Sequence, residues 1–304
     1  MLKHFTTLQK RTILLGMKYT LINGNSDICS LLDEWKKNRT SVIALDIEAE
    51  NNLHQYGEKL CLVQVNDGTS IYIIDPFKMK KIHLKNLFNN PRILKIMYDA
   101  SSDLSLLKNG HDMEIKSILD LRPAVELLDY EKKDLHSVIA ADLGIRMRKK
   151  SKFQRFNWTR RPLPADVLEY ASNDVAHLFE LKKTVMDKII AGNLLDEYIL
   201  LNLTVQTKNY KRSREDSYQK IRGFDRLKGP AKKKVKRIYD LRDIHARELN
   251  VPPNEVIPSR ALADIASGKT AIADIPFPRR LKEGRRKAII EELHTISGSI
   301  QQHK

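Results

Sequence analysis

Asp46 and Glu48 stand two residues apart at the end of an apolar, β-branched run in SVIALDIEAE. Side chains alternate along a strand, so both carboxylates share one face, which Glu50 joins if the strand continues. Asp103 follows a second apolar run in KIMYDASSDLSLL, with Asp99 and Asp112 as neighbouring acids. Tyr170 and Asp174 in LEYASNDVAHL are four residues apart, which puts them on one face of a helix. Crowded carboxylates repel one another, and each is costly to desolvate alone. A divalent cation removes both penalties, and hard oxygen ligands suit Mg²⁺ or Mn²⁺. Two such cations, about 3.5–4 Å apart, use roughly four carboxylates, one of them bridging, for in-line displacement at phosphorus. The chemistry expected is phosphodiester hydrolysis. A phenol is a good orienting partner for water and a poor base, which suits Tyr170 one turn from Asp174.

These acids need a sheet edge to meet at. Residues 41–48, 60–66 and 70–75 read as strands, with NDGT as a hairpin turn between the last two. Short buried strands follow near 94–97 and 117–121, each succeeded by a helical pattern. That order predicts an α/β fold, a mixed sheet flanked by helices. PADVLEYASNDVAHLFELKKTVMDKIIAG reads as one long amphipathic helix between Pro164 and Gly192. The stretch RMRKKSKFQRFNWTRRPLP, basic with interleaved aromatics, reads as a loop or lid too polar for core. TKNYKRSR, from Thr207 to Arg214, reads as a linker into a small basic all-α domain.

Charge separates these parts. The 304 residues carry a net charge of +16, and residues 206–304 hold 24 Lys and Arg against 12 Asp and Glu. A basic appendage on a near-balanced body points to a polyanionic partner. Cys29 and Cys61 give neither a disulfide framework nor a zinc cluster. No apolar run is long enough to span a bilayer. The first twenty residues are basic and lack acids, but ILLGM is too short for a secretory signal, and Met17 is an alternative start. The expectation is a cytoplasmic protein.

In this order the motifs resemble the DEDD 3′–5′ exonucleases of the tyrosine subtype, and most closely the ribonuclease D family. ALDIEAENNLHQYGEKLCLVQV is similar to its first motif region, KIMYDASSDLSLL to the second, and NWTRRPLPADVLEYASNDVAHLFEL to the third. YDLRDIHARELNVPPNEVIPSRALADIA resembles the helical HRDC domain that follows the nuclease in that family. The resemblance implies a ribonuclease-H-like fold and five domain segments. These are an N-terminal extension (1–18), an exonuclease domain (19–205), a linker (206–211), an HRDC domain (212–296) and a tail (297–304). It makes Asp46, Glu48, Asp103 and Asp174 ligands of two divalent cations, with Asp46 bridging and Tyr170 orienting the water. Departures are Ile47 where DTE is usual, Tyr98 where many relatives have histidine, and Lys149, Lys150 and Lys152 near a single lysine of relatives.

Substrate contacts are expected at His54 and Tyr56, at Lys152, Trp158, Arg160 and Arg161, and at Lys232, Lys233 and Lys234. Arginines and aromatics together hold phosphates and stack bases. His136 and His177 belong to no histidine cluster and are not expected as ligands. The implied function is a monomeric 3′–5′ exoribonuclease that trims structured RNA with a single-stranded 3′ end, such as tRNA precursors. It needs no membrane and no small-molecule cofactor. The alternatives are a DNA exonuclease of repair and a nucleic-acid-binding protein with an inactive nuclease body.

Overall fold

The computed structural model describes residues 11–14, 17–147, 153, 155–212 and 217–298. The chain divides into two compact units. The first runs to Lys211 without Glu50–Glu58, and the second joins Glu50–Glu58 to the residues from Arg212 onward.

In the first unit, seven strands of the described residues form one sheet: β1 (Arg11–Leu14), β2 (Met17–Ile22), β3 (Val42–Asn51), β4 (Glu58–Asn66), β5 (Ile71–Ile74), β6 (Leu94–Met97) and β7 (Ile118–Asp120). The order is β1-β2-β5-β4-β3-β6-β7. Pairing is antiparallel for β1 with β2 and β4 with β5, and parallel for β2 with β5 and for β3, β6 and β7 in succession. The NDGT turn joins β4 to β5 as expected. Gly68 takes φ +89°, and the Asp67 carboxylate accepts from the amides of Thr69 and Ser70, each at 2.9 Å.

Helices α1 (Asn25–Lys37), α2 (Lys81–Phe88) and α3 (Ser101–Leu106) precede β7. After it come α4 (Arg122–Leu127), α5 (Leu135–Leu143), α6 (Ala165–Ala176), α7 (Leu178–Ala191) and α8 (Leu195–Thr207). Strand alternation divides the packing. Ile43, Leu45 and Ile47 join Trp35, Leu84 and Phe88 in one core, whereas Ala44 joins Ile96, Val138 and Leu181 in another. Asp46 and Glu48 share the parity of Ala44, so β3 turns them toward the side where α5, α6 and α7 pack.

The structure corrects three expectations. Residues 11–14 and 17–18, read as part of an extension, lie in strands β1 and β2. β1 forms one edge of the sheet, and β2 lies between it and β5. The long helix after Pro164 is two helices that break at His177, whose φ is −112° and ψ 11°. Asn66 of β4 causes this locally: its Nδ2 donates to the carbonyls of Val175 at 3.2 Å and Ala176 at 3.3 Å. The aromatic stretch before Pro164 is not a polar lid in its described part. Phe153 and Trp158 are 2% and 3% exposed, in a core with Cys61, Leu62, Val167 and Ala171.

The second unit is helical from Arg212 onward among its described residues. Its elements are α9 (Gly229–Leu249), α10 (Ser259–Ser267) and α11 (Glu283–Gly298), joined by short 3₁₀ turns. Its core holds Phe224, Val235, Ile238, Leu262, Ile289 and Leu293. Tyr56 packs on that core and donates a hydrogen bond to Asp243 at 2.7 Å.

Candidate active site

Three of the four predicted acids meet directly. Asp46 and Glu48 from β3 and Asp174 from α6 place ligand oxygens within 4.8 Å of one another. Tyr170 lies one turn before Asp174 on the same helix. Asp103, from the first turn of α3, stands outside that triad but close enough to act on it electrostatically.

Burial is the main influence on all of these groups. It pushes the Asp46 carboxyl well above its usual range, with the charges of Asp174 and Asp103 adding to the rise. Glu48 is raised in the same way by burial, then by Asp46, Asp174 and Asp103. Asp103 is pushed up to about 8 by burial and by Asp99 and Asp120. Asp174 is raised by burial, while His136 opposes the rise. Tyr170 is raised by burial and then by Asp174, Glu48 and Asp46, so its hydroxyl keeps its proton and acts as a hydrogen-bond donor. The pocket therefore combines buried acids with one histidine in hydrogen-bonding distance of Asp174. That excess of negative charge on hard oxygen donors fits divalent cations.

The rival acids are occupied elsewhere. Glu50 accepts from the amides of Leu53 at 2.6 Å and His54 at 2.7 Å, closing the turn after β3. Asp112 is exposed beside Lys85, and Asp99 is exposed near Arg122. Sequence reasoning set His136 aside, yet its Nε2 lies 3.3 Å from Asp174 Oδ1, and its ring meets Tyr170 edge-on at 6.3 Å. Thirty-eight residues separate His136 from Asp174, so no local spacing signals the pair.

The expected substrate contacts are scattered. Trp158 is buried with its ring 6.4 Å from that of Tyr170, and Phe153 sits 5.0 Å from Tyr170, so both brace the tyrosine and present no open stacking face. Arg161 grips Asp75 through Nε at 2.8 Å and Nη2 at 2.9 Å. It also donates to the carbonyls of Cys61 and Trp158, which leaves it a structural staple without free donors for phosphate. Arg160 is exposed. Lys152, with Lys149 and Lys150, lies outside the described residues. His54 Nδ1 lies 3.0 Å from Glu50, and Tyr56 is bonded to Asp243 within the second unit. Lys233 is exposed and Lys234 half-buried, whereas Lys232 sits over the Phe224 ring at 5.1 Å.

The chain as a whole is similar to known proteins. A family model described as 3′–5′ exonuclease matches residues 20–190, more than half of the chain. Protein RRP6-like 2 of Arabidopsis thaliana is 25% identical over 275 residues, covering 85% of this chain and 31% of that protein. Ribonuclease D of Sphingobium indicum is 27% identical over 237 residues, covering 75% of this chain and 59% of that one. The chain thus spans between 31% and 59% of the length of these two relatives. The catalytic core of RRP6 from Trypanosoma brucei superposes with a TM-score of 0.77 at 19% identity, covering 99% of this chain and 85% of that structure. Escherichia coli RNase D superposes at 0.71 with 22% identity, covering 93% and 76%. Both show the same fold. Among the described residues no helix is long and apolar enough to cross a membrane.

Two outcomes follow from the geometry. Arg161→Ala leaves Asp75, only 6% exposed, without its partner, which costs about 3–5 kcal/mol in urea unfolding. The acids also set a pH dependence in EDTA. Their folded pKa values lie above the ordinary values of 3.8 and 4.5, and that of Asp103 is about 8. Between about pH 4 and pH 8 the folded chain therefore holds more protons than the unfolded chain, and stability falls as pH rises. The melting temperature should drop between pH 5 and 8. Asp103→Asn and saturating Mg²⁺ should each flatten the slope, and a slope that neither changes contradicts this reading.

Proposed function

This chain belongs to the 3′–5′ exonuclease family, and we propose that within it the protein is a ribonuclease D-like exoribonuclease that trims RNA from the 3′ end. The observation that carries the proposal is the triad of Asp46, Glu48 and Asp174 beside a protonated Tyr170, with Asp103 at hand. Ribonuclease D and RRP6 as relatives favour RNA over DNA.

In this reading Asp46, Glu48, Asp103 and Asp174 would hold two divalent cations, Mg²⁺ or Mn²⁺. When bound, such ions lower the pKa of water and stabilise an oxygen leaving phosphorus. The protein's own groups do the positioning. The Tyr170 hydroxyl orients the attacking water, and Phe153 and Trp158 fix the tyrosine ring. His136 fixes the Asp174 carboxylate. Water forms a new bond to the terminal phosphorus while the bond to the preceding 3′ oxygen breaks. A 5′-nucleoside monophosphate leaves, and that 3′ oxygen takes up a proton.

The substrate is a structured RNA with a single-stranded 3′ end, such as a tRNA precursor. The second unit resembles an HRDC module and would hold the body of the RNA through its phosphates. Arg222, Arg226, Lys228, Lys234, Arg260 and Lys269 line one groove there, of about 980 Å³. The protein acts as a monomer in the cytoplasm, without a small-molecule cofactor.

Nucleotide release from a tRNA-like RNA with a single-stranded 3′ tail tests the proposal. Mg²⁺ or Mn²⁺ should support it, EDTA should abolish it, and Asp46→Ala or Asp174→Ala should cost at least about a hundredfold. Tyr170→Phe should be milder than either. A tenfold or greater preference for a matched DNA overturns the RNA assignment, and a wild type without release leaves a binding protein. For the second unit, replacing Lys232, Lys233 and Lys234 by alanine should lower the slope of log affinity against log salt by about 1–3. An unchanged slope removes that surface from the RNA contact.

A further inference from the structure

Asp103 is the acid that the fold holds least directly. Asp46 and Glu48 sit on a central strand and Asp174 on a twelve-residue helix, whereas α3 has six residues and runs into a π-helical turn, Leu107–His111. A helix this short has few hydrogen bonds of its own, so its direction depends on what fixes its start. The chain enters α3 through Asp99, a non-glycine residue at φ +59°, a left-handed conformation that has to be imposed.

One side chain imposes it. Asp120, at the end of β7 and 2% exposed, accepts from the Asp99 amide through Oδ1 at 2.8 Å and from the Ala100 amide through Oδ2 at 2.9 Å. Its Oδ1 also takes the Arg122 amide at 3.0 Å, tying the start of α4 to the same point. The main chain of Asp120 is anchored in turn. Its amide donates to Asn202 Oδ1 at 2.9 Å, and its carbonyl accepts from the Tyr198 hydroxyl at 3.0 Å, both from α8. Asn202 Nδ2 donates to the carbonyl of Ile118 at 3.0 Å. A rigid line thus runs from α8 through β7 to the turn three residues before Asp103. The Asp120 carboxylate is spent on backbone amides, so its role is to aim another residue.

We propose that Asp120 is a positioning residue for Asp103: by fixing the Asp99–Ala100 turn, it decides whether the Asp103 carboxylate reaches the cations held by Asp46, Glu48 and Asp174. This rests on the reading of Asp103 as a cation ligand. Without the carboxylate, the Asp99 and Ala100 amides lose their acceptor, the left-handed turn relaxes, and α3 swings.

The test measures Mn²⁺ binding by titration calorimetry, together with melting temperature and nucleotide release. Asp120→Ala should weaken Mn²⁺ binding by about 10- to 100-fold, the usual effect of removing a residue that orients a ligand. Its kcat at limiting Mn²⁺ should fall in step and recover at high Mn²⁺, with KM for RNA within about twofold. Asp120→Asn keeps one accepting oxygen and should fall between. Tyr198→Phe removes one main-chain anchor of Asp120 and leaves its carboxylate in place, so it should weaken Mn²⁺ binding less than Asp120→Asn does. The double variant Asp103→Ala with Asp120→Ala should bind Mn²⁺ no more weakly than Asp103→Ala alone, since both changes remove the same ligand. Additive losses, or an Asp120→Ala protein that melts lower yet binds Mn²⁺ like wild type, overturn the proposal. If Asp120→Ala does not fold, Asp120→Asn decides, and unchanged Mn²⁺ affinity there overturns it equally. A wild type that binds Mn²⁺ without releasing nucleotide sinks the exonuclease reading and leaves the calorimetry to decide the role of Asp120. A wild type that binds no Mn²⁺ overturns both.

Discussion

Asp46, Glu48 and Asp174 face one another across less than 4.8 Å in a pocket where burial already disfavours charge, and this repulsion is the constraint to which the first unit answers. A flexible site would separate the acids. This one holds them together because β3 is locked by apolar neighbours on both sides, with Ile43 and Leu45 in one core and Ala44 in the other. The helix that brings Asp174 ends where Asn66 takes its last carbonyls, so its position along the sheet is set by a polar contact as well as by packing. Work done by the cores thus appears at the site as proximity of like charges, which a cation is suited to relieve.

Tyr170 shows how the surroundings of the acids are used. The negative charge around it raises its pKa, which removes the phenolate as a chemical option and keeps the hydroxyl as a donor. The same ring is wedged by Phe153 and Trp158, and their segment is fastened to the end of β5 through Arg161 and Asp75. A stretch that is basic in composition is therefore apolar on its inner side. Arg161 within it is neutralised by the buried Asp75 and by the carbonyls of Trp158 and Cys61.

The parts legible in the sequence are those where cause and effect lie close together along the chain. Two carboxylates at a strand step on an apolar run, and a tyrosine and an aspartate at a helical step, are local patterns, and they meet in space. The hairpin at Asp67 and Gly68 was legible for the same reason. Where partners are far apart the reading failed. Nothing near His177 announces the helix break, because Asn66 is over a hundred residues away. Nothing near His136 announces Asp174, and nothing near Arg161 announces Asp75. Strands β1 and β2 were missed because β2 finds its inner partner in β5, far along the chain, where Tyr19 pairs with Ile71, and β1 is only the edge laid against it. Glu50 and Glu48 looked equivalent by parity, and only the turn that Glu50 closes separates them.

The second unit is not one stretch of chain, since Glu50–Glu58 belongs to it along with everything from Arg212 onward. Tyr56 and Asp243 are 187 residues apart. During synthesis at roughly 5–20 residues per second, the first piece waits on the order of ten seconds or more for the helix that receives it. Closing so long a loop carries a conformational cost that a module built from contiguous residues avoids. The consequence is one of assembly: a cut at Arg212 cannot remove this helical unit whole, because it leaves Glu50–Glu58 behind around the β3–β4 connection.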